Sequence, residues 1–127
     1  MFKPITAMSA FSAKDLEAVK KFYSEVLDFE VKDAPMGIEI QLPGGAAIAV
    51  YQSDKNEPAT YTMLNIVVDN IDEAVDALAE RGVTFERYDT FPQDEKGIAR
   101  GLAAHQGPDA AWFKDSAGNI LEVLQAA

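Results

Sequence analysis

A chain of 127 residues that is 48% hydrophobic has enough apolar side chain for one folded domain with a core, which excludes a disordered class. There is no cysteine, so disulfides, thiolate metal sites and a cysteine nucleophile are excluded. With 21 acids against 11 bases, the formal charge of −10 disfavours binding to a phosphate backbone and is compatible with a cationic ligand or with a solvated acidic surface.

The first residues, Met1 to Thr6, lack the apolar run of a signal peptide, and no stretch approaches the roughly 20 apolar residues that span a bilayer. The expectation is a cytoplasmic protein with neither membrane nor nucleic-acid partners. Ile5 to Phe11 reads as a first strand. Ser12 to Asp15 opens a helix, with Ser12 and Asp15 as competing caps. Leu16, Val19, Phe22, Tyr23, Val26 and Leu27 recur at spacings of three and four, the stripe of an amphipathic helix. Three strands follow, at 29–32, 37–42 and 46–52, the last two separated by the turn Pro43-Gly44-Gly45.

The polar stretch 53–59 carries no periodicity and reads as a linker. Then the order repeats. Residues 60–68 form a strand. Asn70 caps a second helix, with Glu73 at the capping-box position, apolar Ile71, Val75 and Leu78, and Arg81-Gly82 as the stop. A strand is expected over 83–88. A long charged segment, 89–108, follows and holds one short strand near 98–103. Two apolar runs around Asp115-Ser116-Ala117-Gly118-Asn119 form a closing hairpin.

The chain thus reads as an internal repeat of two βαβββ modules, 4–53 and 60–127, joined by residues 54–59 into one domain. The fold class is α+β. Side by side, two such sheets make an open, curved mixed barrel with helices on the convex side and a pocket on the concave side.

The hairpin pattern Trp112-Phe113-Lys114-Asp115-Ser116-Ala117-Gly118-Asn119-Ile120-Leu121-Glu122 resembles that of the vicinal oxygen chelate superfamily: glyoxalase I, bleomycin-resistance proteins, fosfomycin-resistance enzymes and extradiol dioxygenases. The run Leu16 to Phe29 resembles the family's first helix. Ser116 stands where the family has Pro, and Asp28 where it has Gly. The resemblance implies ligand positions for a divalent ion at Met8, Ala49, Met63 and Glu122. Only Glu122 is a donor of the kind such ions need, so no bound metal and no cofactor is expected. His105, the only histidine, lies off those positions and reads as a solvated loop residue.

Strand alternation gives the expected lining. Ile120, Glu122 and Leu124 share a face, and a hairpin centred near Ala117 sets Trp112 opposite Glu122. Tyr61, Met63, Asn65 and Val67 form a second row, and Ala47, Ala49 and Tyr51 a third. Met8, Tyr51, Met63, Asn65, Trp112 and Glu122 are the candidate ligand-binding residues; the competing reading makes Met, Trp and Tyr ordinary core. Glu122, if it faces the concavity, must reach solvent, pair with Arg87, Arg100 or a Lys, or hold a proton, and it is the candidate catalytic acid or base. The expected function is metal-free binding of a small aromatic or cationic molecule, by a homodimer as in the bleomycin-resistance branch. The alternatives are a metal-dependent lyase, isomerase or dioxygenase of the glyoxalase type and a metal-free enzyme using Glu122. Whether the protein is an enzyme is open at this point.

Overall fold

Two side chains start the two helices. Asp15 stands in extended conformation and its carboxylate accepts the amide of Ala18 at 3.0 Å, so Asp15, not Ser12, is the cap. Asn70 does the same for Glu73 at 3.1 Å. A computed structural model of the protein describes residues 1–127, and the chain divides into two compact units, Met1–Glu57 and Pro58–Ala127.

The first unit runs β1 (Ser9–Ala13), α1 (Leu16–Lys21), β2 (Glu30–Ala34), β3 (Gly37–Gln41) and β4 (Ala47–Gln52). Its sheet order is β1-β4-β3-β2, with β1 parallel to β4 and the other pairs antiparallel. Ile38, Ile40, Ile48, Val50 and Ala13 are buried, together with Val19 and Tyr23. One sheet face is therefore the core. After Lys21 the helix widens into a π-helical turn, Phe22–Val26, where the amide of Leu27 reaches the carbonyl of Phe22 at 3.3 Å. Asp28, at φ 60°, then turns the chain out of the helix.

The second unit runs β5 (Thr62–Val67), α2 (Ile71–Glu80), β6 (Ala99–Arg100), β7 (Asp109–Lys114) and β8 (Ile120–Gln125). Its order, β5-β8-β7-β6, repeats that of the first unit, including the parallel β5–β8 pair. Ile71, Val75 and Leu78 of α2 cover Ala111, Phe113, Leu121 and Val123, all buried. The α+β class and the two βαβββ arrangements match the expectation.

Two expected strands differ. The first begins at Ser9, not Ile5. Its pairing with β4 starts at Ser9 opposite Ile48, one residue inside the start of β4, so β4 has no strand residues opposite Ile5 to Ala7. Residues 83–88 are extended but are not a strand. Two of their backbone groups are taken by a side chain: the Gln93 amide accepts from the Tyr88 N–H at 2.8 Å and donates to the Glu86 carbonyl at 2.9 Å, and it also donates to the Gly97 carbonyl at 2.7 Å. A single backbone bond, from the Glu86 N–H to the carbonyl of Trp112 at 2.7 Å, ties the segment to β7.

The closing turn is a buried polar knot. One Asp115 oxygen accepts the amides of Ala117 and Asn119, both at 2.9 Å, and the other accepts the Asn119 side-chain N–H at 3.1 Å. Gly118, at φ 87°, takes the left-handed corner. Asp94 repeats the backbone part of this device. Its carboxylate accepts the amides of Lys96 and Ile98, both at 2.9 Å, and Gly97 takes the corner at φ 91°.

Candidate ligand-binding site

The pairing registers set Asn65, Glu122 and Trp112 in one row across β5, β8 and β7. Neighbouring Leu121, Val123, Ala111 and Phe113 face α2, so alternation turns this row to the opposite face. Of the six candidate residues, the row holds three. Met63 lies on β5 where its register with β8 shifts between Thr62 and Leu64. Met8 and Tyr51 belong to the first unit. Met8 precedes β1 and is about half exposed, as is Tyr51 at the end of β4.

Glu122 is half buried. Burial raises its carboxyl above the usual range, and a hydrogen bond from Trp112, whose indole can only donate, works in the opposite sense. Trp112 stacks with two rings the sequence reading did not single out. Its centroid lies 4.9 Å from Phe91 and 5.8 Å from Tyr88. Trp112 and Glu122 line a hollow of about 310 Å³, with Phe91, Pro92, Arg100 and Gln106 among its walls. A second cleft, of about 250 Å³, shares Phe91 and Trp112.

The walls are fixed from behind by charge. Arg100 donates both terminal nitrogens to Asp72 on α2, at 2.8 and 3.0 Å, and its Nε to Asp94 at 3.1 Å. Lys96 adds Asp76 at 3.1 Å. The Arg100 hydrogen bonds are the leading cause that holds the Asp72 carboxyl down to about 2. Arg87 donates to the carbonyls of Asp94 and Glu95. The hollow thus sits on a segment with little regular structure but many fixed bonds. The signal that would have found it is the Asp-x-x-Gly spacing, present at 94–97 as at 115–118.

The residues do not suit a divalent ion. Of the four positions the resemblance implied, Met8, Ala49 and Met63 offer sulfur or nothing, and only Glu122 offers oxygen. No three His, Asp or Glu side chains converge as a metal site. In the first unit the row matching Asn65, Glu122 and Trp112 is Ala10, Ala49 and Glu39. Its carboxylate, Glu39, accepts the Gln41 side-chain N–H at 2.8 Å. His105 is exposed, at φ 55° in the loop between β6 and β7.

A family model described as the glyoxalase/bleomycin resistance protein/dioxygenase superfamily matches residues 7–123. No curated protein matches the chain. Among solved structures, a superfamily member from Sphaerobacter thermophilus is 27% identical, with 95% of this chain and 98% of that one covered and a TM-score of 0.66. TnmS3, an antibiotic binding protein from Streptomyces, is 21% identical, with 99% and 100% covered and a TM-score of 0.64. The fosfomycin resistance protein FosX from Listeria monocytogenes is 15% identical, with 100% and 94% covered and a TM-score of 0.71.

Proposed function

The chain belongs to the glyoxalase/bleomycin resistance protein/dioxygenase superfamily, and we propose that within it the protein binds a small aromatic or cationic organic molecule, without a metal, over Trp112 and Glu122. One observation carries the reading: an aromatic hollow that contains a single half-buried carboxylate. Flat rings stack on Trp112 and Phe91, and a cation takes Glu122 as counter-ion. The fold is shared with an antibiotic binding protein, TnmS3, and the present reading gives this chain a ligand of the same kind. Trp112 is the only tryptophan, so its fluorescence reports on the two spaces it lines. Calorimetric titration with a panel of aromatic and cationic natural products should give saturable binding that Trp112→Ala and Glu122→Gln each weaken. A flat response across the panel would remove the reading.

We further propose a homodimer, the assembly that the resemblance to the bleomycin-resistance branch implies. Sedimentation should give twice the chain mass; a monomer at micromolar concentration would refute this.

The raised Glu122 carboxyl supports one second reading, a metal-free enzyme in which it moves a proton. Glu122→Gln would then abolish turnover of a bound compound while leaving the fold intact. The glyoxalase-type metal enzyme has one donor in its favour, and divalent ion in stoichiometric amount in untreated protein would be needed to revive it.

A further inference from the structure

The second cleft is chemically unlike the first. Its lining residues include Thr60, Tyr61, Thr62, Tyr88 and Thr90, each of which carries a hydroxyl, and none that is charged. Its remaining apolar surface includes Phe91 and Trp112, the same two rings that line the first hollow. The Tyr88 hydroxyl is shielded from solvent and has no hydrogen-bond partner in the protein. Such a group costs free energy until something bonds to it. Its position is not an accident of a loose loop: the Tyr88 amide is fixed by Gln93 at 2.8 Å, and its ring packs edge-on against Trp112 and Phe91.

From this juxtaposition we propose that the second cleft is a sugar subsite, so that the full ligand is a glycosylated aromatic compound with its ring in the first hollow and its sugar in the second. The proposal deepens the binding reading above and rests on it. A sugar presents C–H faces to aromatic rings and hydroxyls at its edge. Each hydroxyl both donates and accepts, as does each hydroxyl of the protein, so the two sets pair in either sense. A charged ligand part would find no counter-ion here, and a wholly apolar one would leave Tyr88 unpaired. The cleft, of about 250 Å³, is large enough to admit more than ordered water. Phe91 and Trp112 line both spaces, so the two are neighbours along one aromatic wall.

The test uses the full-length protein and a matched pair of probes, 2-naphthol and 2-naphthyl β-D-glucoside, titrated by calorimetry with Trp112 fluorescence in parallel. The glucoside should bind at least fivefold more tightly than the aglycone. Tyr88→Phe, which removes one oxygen and keeps the ring, should cut the glucoside-to-aglycone ratio roughly fivefold, the effect of one hydrogen bond. Thr90→Val, at an exposed position, gives a second variant with the same expected direction. If the aglycone titrates and the glucoside binds no better, or if both variants leave the ratio unchanged, the sugar subsite is overturned while the aromatic site stands. If neither probe titrates, the sugar subsite is overturned, and the aromatic site is judged by the panel titration alone.

Discussion

Asp115 carries more of the fold than its charge suggests. It is 6% exposed, and its carboxylate answers three N–H groups that no other partner satisfies in that turn. Replacing it by Ala strands buried donors, so Asp115→Ala should cost about 3 kcal/mol in chemical denaturation. Asp94→Ala removes the same kind of bonds from a more exposed turn, and its loss should be smaller. Equal losses would mean that burial is not what sets the cost. Glu122 works in the other direction. Its carboxyl is raised in the folded state, so between its unfolded and folded values the native protein holds the extra proton. Stability from this group is therefore highest at low pH and falls as pH rises through the raised value. Glu122→Gln should flatten that fall and leave the protein at least as stable at pH 7. A variant less stable than the parent at pH 7 would show that the charged form is a structural partner.

At the scale of elements, position 37 is the tightest point. A Cβ there would lie 2.1 Å from the Val50 carbonyl oxygen, inside the β3–β4 pairing. Gly37→Ala must push two strands apart, and a loss of about 3 kcal/mol or failure to fold is expected from thermal scans. The helices were legible because their caps and stripes are local: Asp15, Asn70 and the Ile71, Val75, Leu78 spacing each act within a few residues. The closing hairpin was legible for the same reason, down to Trp112 opposite Glu122. The segment 83–108 was not. Its β-forming residues Val83, Thr84 and Phe85 suggest a strand, yet Gln93 takes the bonds a ladder would use. Long-range side-chain contacts of this sort leave no period. Phe91 and Tyr88 went unnoticed because only the fold brings them to Trp112. The same segment depends on Arg100. Asp72 is held down to about 2, so its contribution is full above its ordinary value of 3.8 and is lost as pH falls through about 2. Arg100→Met should raise amide exchange over 94–100 at neutral pH, and acid should do the same to the parent.

For the whole molecule, charge rather than shape gives the most accessible prediction. The chain carries −10, and the single carboxylate in the hollow shares that sign. A cationic aromatic ligand is therefore drawn in by the summed field before any contact forms, whereas a neutral analogue of equal size is not. Salt at about 0.5 M shortens the screening length to a few ångströms, well below the dimensions of the protein. The association rate of the cation should fall several-fold between about 0.05 and 0.5 M salt in stopped-flow fluorescence of Trp112, while the neutral analogue keeps its rate. Entry of the cation should also offset the effect of burial on Glu122, because an adjacent positive charge lowers a carboxyl that desolvation raises. Equal salt dependence for the two ligands would mean that the acidic surface serves solubility alone, and that Glu122 acts only as a hydrogen-bond acceptor.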